Sequence, residues 1–368
     1  MSKNWIRWIP AIAVPAAVVV AGAVVVPMAA GAAPNLPAKT PAEVLSLLAS
    51  SDVDAYSGEV TVTSDLGLPS VSSIPGAGST GSGRGGSSDD GTDAASSVLE
   101  LLTGSHDLRV YRDGSDARMQ VLDQLAERDV VVNGGGKSPE AWLYDSDENS
   151  VVHVTGTAPE HAAPETSMTP DELAATIVDE LEPSSSLSVD SAQRVASRDA
   201  YTLVLEPKAT DTLVGDVSIA VDAETGMPLR VSATARGAGD PALEVAFTSI
   251  DFAAPSADLF DFTAPKDAEV TEESLDDIQK PDASTAEGTD VPKATVTGEG
   301  WDAIATLDTG SDATDMTDLT ESPLFTQLAT RVDGGYLLHT SLVNVLLTDD
   351  GRVLAGSVPA DALSAAAK

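Results

Sequence analysis

The sequence predicts a mainly β protein of the α+β class, built on one large antiparallel sheet and followed by a small α+β module. Three observations carry this. Short runs in which apolar and polar residues alternate recur between residues 59 and 252. The runs are separated by Gly, Asn and Asp turn signals rather than by long helical connections. One helical pattern precedes them and one interrupts them, and strands joined by tight turns pair antiparallel.

The elements follow in order. A first helix is expected over 40–49, with Pro41 at its first position. EVTVTSDL (59–66) alternates with period two, so Val60, Val62 and Leu66 share a face. Further strands are expected at 106–112, 116–123, 127–133, 140–145 and 150–155. Their turns are marked by Asp113-Gly114, Asn133-Gly134 and Asp147-Glu148-Asn149. A second helix opens with Thr169 as N-cap, Pro170 at its first position and Asp171 and Glu172 in its first turn. Leu173, Ile177 and Leu181 form its apolar stripe. Strands resume at 193–197, 201–207, 215–222, 228–236 and 243–252, which makes about eleven in all.

Two polar stretches divide the chain. Residues 67–97 include GAGSTGSGRGGSSDDGTD and read as a disordered insertion. Residues 267–298 are acidic and Pro/Thr-rich and read as an extended linker. The sheet domain is therefore expected over 40–266. A small module of unknown role follows at 299–368, with a β-α-β-β-α order. It comprises a strand at 301–307, a helix at 324–330, a hairpin of 336–347 and 352–358 around Asp349-Asp350-Gly351, and an Ala-rich helix after Pro359.

The N-terminus carries Lys3 and Arg7, then an almost wholly apolar run over 9–33 that ends in small residues. Such a segment is a secretory signal peptide or an uncleaved membrane anchor, and Pro10, Pro15 and Pro27 favour the former. Either way the remainder is expected to be extracytoplasmic. The chain has no cysteine, so disulfides, thiolate metal sites and an acylated cysteine are excluded. Acidic residues number 58 against 20 basic, a net charge of −38, which makes nucleic acid and anionic headgroups poor partners. Aromatic residues are only 4%, so any core is aliphatic.

No catalytic constellation emerges. Gly134-Gly135-Gly136-Lys137-Ser138 follows a strand, but a phosphate-binding loop needs its first glycine at Val131 and a helix afterwards. The G-x-G-x-x-G at 81–86 lies in low-complexity sequence. Asp145, Asp147 and Asn149 have the alternate spacing of a calcium loop, yet Ser150 stands where glycine is required and Gly156 where glutamate is. His106, His153, His161 and His339 are scattered. Neither an enzyme, nor a cofactor, nor a metal site is indicated.

One stretch is more specific. VDAETGMPLRVSATARG, with its D-x-x-T-G-x-P-L signature, is followed by ALEVAFTSIDF and then by PSADLFDFTAPKDAEV, which contains P-x-x-x-L-F-x-F-x-x-P. This run resembles the C-terminal part of the LolA/RseB-like superfamily. PAEVLSLLASSDVDAYSGEVTVTS resembles the first helix and strand of that group, and the actinobacterial LolA-like, lipoprotein-carrier-type proteins are the most similar. The resemblance covers roughly 40–270. It implies a curved antiparallel half-barrel whose concave face is covered by helices and receives acyl chains of lipids or lipoproteins. The residues expected to line that cavity are Val60, Val62, Leu203, Leu205, Val217, Ile219, Val221, Leu229, Val231, Val245 and Phe247, by the apolar parity of the central strands. The resemblance also implies an alternative, an envelope-stress regulator that binds a membrane anti-sigma factor.

Overall fold

A computed structural model describes residues 34–68, 103–122, 127–135, 138–156, 170–274, 293–308 and 323–368. The N-terminal segment, most of the 67–97 insertion, Thr169, His161 and the middle of the 267–298 stretch lie outside the described residues.

The first strands are β1 (Ala55–Ser64), β2 (Gly104–Asp113), β3 (Asp116–Leu122), β4 (Glu127–Asn133), β5 (Glu140–Asp145) and β6 (Ser150–Thr155). After the second helix come β7 (Ser185–Val195), β8 (Arg198–Pro207), β9 (Val214–Asp222), β10 (Pro228–Ala235), β11 (Pro241–Asp251) and β12 (Glu269–Ser274). Together they make one open, curved sheet of twelve strands, in the order β12-β6-β5-β4-β3-β2-β1-β11-β10-β9-β8-β7. Its neighbours are antiparallel except β12, which lies parallel to β6. The curvature is measurable: Cα atoms of β7 and β11 come within 8 Å although three strands intervene. In a flat sheet four steps of about 4.8 Å would hold them roughly 19 Å apart.

Helix α1 (Pro41–Ala49) starts as its sequence requires. The backbone N–H of Thr40 donates to the Glu43 carboxylate at 2.7 Å, and the Glu43 N–H donates back to the Thr40 hydroxyl at 3.3 Å, closing a capping box. Helix α2 (Pro170–Leu181) lies beside it. Val44 and Leu45 of α1 and Ala174 of α2 bury against Tyr201, Leu203 and Val221 on β8 and β9.

The D-x-x-T-G-x-P-L signature builds the seat for α1. Asp222, at the end of β9, accepts hydrogen bonds from the Thr225 N–H (2.8 Å), the Thr225 hydroxyl (2.9 Å) and the Glu224 N–H (3.1 Å). Gly226 then turns with φ +74°, and a Cβ there would lie 2.1 Å from the Leu47 carbonyl oxygen of α1. Only glycine allows both that turn and that approach. The second signature crosses the other side of the sheet. Phe260 is buried, the Leu259 carbonyl accepts from Arg118 at 2.9 Å, and the Phe262 ring lies 5.4 Å from Trp142 and 6.2 Å from Tyr144.

The C-terminal part is a second, six-stranded antiparallel sheet ordered β13-β14-β18-β17-β16-β15. Its strands are β13 (Lys293–Thr297), β14 (Ile304–Asp308), β15 (Ala329–Val332), β16 (Gly335–His339), β17 (Asn344–Thr348) and β18 (Arg352–Gly356). Helix α3 (Pro323–Leu328) precedes β15, and α4 (Ala360–Ala366) buries Leu363 against Ile304, Leu346 and Leu354. The expected β-α-β-β-α order is thus richer in strands. The run at 336–347 is two strands, not one, because Thr340 breaks it. Its hydroxyl donates to the Val343 carbonyl (2.6 Å) and accepts from the Val343 N–H (2.9 Å), folding a tight turn. The stretch expected as linker begins in β12 and ends in β13.

Candidate functional site

Strand pairing fixes which side chains share a face. One row runs Val189, Leu203, Ile219, Val231, Val245, Val62 across β7, β8, β9, β10, β11 and β1. The next rows on that same face carry Val60 opposite Leu108 and Gly58 opposite Val110. From Val110 the row continues through Met119, Val130, Leu143 and Val152 to β6. One face of the sheet is therefore aliphatic from β7 to β6.

The candidate lining residues fall on it in groups. Leu203, Leu205, Ile219 and Val221 lie under α1 and α2. Val60, Val245 and Phe247 pack with Tyr56, Val110 and Met119. Val62 and Val217 pack with Trp301 and Leu342 of the second sheet's connections. Val231 is half-buried between its partners Ile219 and Val245. Leu229 clusters with Val195, Ala200 and Ala220, whose alternation with Tyr201 and Val221 puts them on the opposite face. The β-bulge between Pro228 and Arg230 accounts for this change of side. Alternation alone does not single out the β2–β6 continuation, where Leu143 is 41% exposed although it is centred in an apolar row.

The junction between the sheets is a core rather than a hinge. Trp301, in a short 3-10 turn, is 3% exposed, and its indole N–H donates to the Ser185 hydroxyl at 2.8 Å. With Leu342 it covers Val62, Val214, Ala233 and Leu243. Gly300 before it has φ +59°, and a Cβ there would lie 2.7 Å from Ser184 Cβ. Backbone bonds complete the joint: the Leu213 N–H donates to Ser357 (2.8 Å) and the Ser341 N–H to Leu66 (3.0 Å). A cleft of about 860 Å³ opens beside it, lined by Asp179, Glu180, Glu299 and Asp302 with Lys208 and Trp301. None of the candidate lining residues reaches that cleft.

The polar motifs are occupied by structure. Asp145 accepts from the N–H groups of Asp147 (2.9 Å) and Glu148 (3.3 Å), and Asn149 donates to the Asp267 carbonyl (2.7 Å), so the calcium-like spacing is a turn. Gly134 directly follows β4 and donates to Asp116 at 3.1 Å, as a glycine hairpin would. His153 stacks on its cross-strand partner Trp142 at 3.6 Å, with one ring nitrogen 2.7 Å from Glu272 and the other 3.3 Å from Glu140. Among the described residues no three His, Asp or Glu side chains are grouped to hold a metal ion. No described helix is long and apolar enough to cross a membrane.

These features define a class: an open curved sheet with one aliphatic face, partly roofed by helices and closed at one end by a second sheet. Solved structures similar to this chain include MucB of Pseudomonas aeruginosa in its complex with MucA, at 16% identity over 88% of this chain and 96% of that one, with a TM-score of 0.43. An uncharacterised conserved protein of Thermus thermophilus shares 12% identity over 63% of this chain and 98% of its own (TM-score 0.34). A LolA superfamily protein of Nitrosomonas europaea shares 8% over 61% and 99% (TM-score 0.22). No family model matches the chain, and no curated protein does.

Proposed function

We propose that this is an extracytoplasmic binding protein that holds acyl chains of lipids or lipoproteins against the aliphatic face of its large sheet. The observation that carries the reading is the row Val110, Met119, Val130, Leu143 and Val152, which continues the helix-covered face over strands on which α1 and α2 do not pack. Aliphatic surface of that kind binds methylene chains by area alone, at about 0.8 kcal/mol per buried CH2, and needs no catalytic group. The sequence resemblance to the LolA/RseB-like superfamily supports the same reading, and the N-terminal apolar run supports the compartment.

The test is direct. Protein purified from its native host without lipid stripping is examined by native mass spectrometry, then titrated with a fluorescent C16 fatty acid. Copurified acyl species, and displacement lost in Leu143→Glu with unchanged thermal unfolding, are expected. Absence of acyl species together with no fatty-acid binding would overturn the proposal.

A second reading, a regulator that binds a membrane anti-sigma factor, is favoured by the second sheet. Its face away from α4 exposes Val296 (38%) and Leu307 (39%) beside Ala305, a surface suited to a protein partner. Pulldown from envelope membranes that recovers a single membrane protein, lost in Leu307→Asp, would support it.

A further inference from the structure

We infer that Trp301 and Leu342 form the end wall of the aliphatic face and set the longest acyl chain it accepts. The inference rests on the binding role proposed above. Along β10 and β11 the face presents Ala233 opposite Leu243, then Val231 opposite Val245, with Phe247 beyond. The first of these rows lies under Trp301 and Leu342, together with Val62 and Val217. The Val245 and Phe247 end packs with side chains of the sheet itself: Tyr56, Val60, Val110 and Met119, and for Phe247 also the cluster of Leu229, Val195, Ala200 and Ala220. A chain lying along the strands is therefore blocked at Leu243, whereas at the Phe247 end it has only side chains of the sheet to displace, which bury Val60 and Val245. Roughly 14 Å of face lies between the two ends at about 3.4 Å per residue.

The wall is fixed rather than soft. The indole is held by its bond to Ser185, which is fully buried, and by the Gly300 backbone pressed against Ser184. Leu342 is 1% exposed and sits in the turn folded by the Thr340 hydroxyl. Neither side chain can swing aside without unmaking the joint between the sheets. These residues come from the C-terminal sheet, which gives that module a part in ligand selection.

The experiment is a chain-length series, C10 to C22 fatty acids competing with a fluorescent analogue on the full chain. In the wild type, affinity is expected to rise about fourfold per added methylene and then stop at one length. Trp301→Ala moves that break to longer chains, and Trp301→Phe leaves it in place. Because the alanine variant strips a buried ring from a core, Leu342→Val provides a milder probe, removing one methylene from the same wall and moving the break by one or two carbons. A wild type that binds with a break that neither Trp301→Ala nor Leu342→Val moves would overturn the end wall and leave the binding role standing. A wild type that binds no chain of any length overturns both.

Discussion

Asp222→Asn tests how the D-x-x-T-G-x-P-L turn stabilises the sheet. The Asp222 side chain is 1% exposed, and besides its three turn bonds it takes the Arg198 guanidinium through both oxygens, with the Nη2 contact at 3.0 Å. Arg198, 26% exposed, also reaches Glu224 at 2.9 Å and lies over the Phe252 ring. Removing one partner of a buried ion pair costs about 3–5 kcal/mol, because the other charge stays behind in low dielectric. Arg198 keeps exposed Glu224 and some water, so the low end, about 3 kcal/mol, is expected. At about 2–4 °C per kcal/mol for a domain of this size, the midpoint falls by roughly 6–12 °C.

The pH dependence gives the sign. Burial opposes ionisation of Asp222, but the bonds from Arg198 and Thr225 outweigh it and hold its pKa below the ordinary aspartate value of 3.8. A depressed acid contributes its stability in full above the unfolded-state value and loses it as pH falls through the folded-state value. Urea unfolding at pH 7, 5, 4, 3 and 2.5 should therefore show wild type and Asp222→Asn furthest apart at pH 5 and above, and converging at the acid end. Asp349→Asn is the control. Arg331 also depresses the Asp349 pKa, but both side chains are about half exposed, so water and salt screen the pair and little change is expected. A gap below about 1 kcal/mol at pH 7, or a gap that persists unchanged to pH 2.5, would refute the reasoning.

Gly226→Ala should cost at least as much as a misplaced left-handed residue, about 1–3 kcal/mol, and should loosen α1, seen as faster hydrogen exchange over 41–49. Trp301→Phe keeps most of the packing but leaves the buried Ser185 hydroxyl with only its longer contact to the Ser184 hydroxyl (3.4 Å), so about 1 kcal/mol should be lost in urea unfolding. His153→Ala removes the bridge between Glu140 and Glu272, and amides of β12 should exchange faster while those of β4 do not change.

The strands with the strongest turn chemistry are legible to the residue. β4, β5 and β6 begin and end where the sequence places them, because Asn133-Gly134 and Asp147-Glu148-Asn149 leave the chain no other place to reverse. Alternation marks β7 only from 193, yet the strand starts at Ser185. Its earlier part rests on Leu187 and Val189 alone among Ser and Asp, enough to fill the space beneath the helices but too little to register as a run. β12 and β13 read as linker for a related reason. β12 and the described part of β13 are almost wholly exposed, so main-chain pairing to one neighbour, not side-chain burial, makes them strands. Trp301 reads as the start of a strand, whereas it sits in a turn whose shape depends on Ser184 and Ser185, more than a hundred residues earlier. Alternation can say that Val62 and Val245 share a face. It cannot say what lies over Val62, since that cover arrives from the far end of the chain.

The two signatures that carry the resemblance both avoid the aliphatic face. Asp222, Thr225 and Gly226 fold a turn that seats α1, while Leu259 and Phe262 bind Arg118 and the aromatic side chains of β5 on the opposite face. They are fold determinants: changing them removes the platform, as the Asp222 and Gly226 variants should show, without changing what the platform prefers to hold. If the protein binds acyl chains as proposed, ligand preference would then reside in residues the signatures do not include. The proposed candidates are the half-exposed row through Leu143 and the end wall of Trp301 and Leu342, neither of which lies in a recognisable motif. Two chains with the same turn and the same P-x-x-x-L-F-x-F segment can thus present different aliphatic surfaces. Exchanging Val130, Leu143 and Val152 for polar residues should abolish acyl binding in a protein that still unfolds like the wild type.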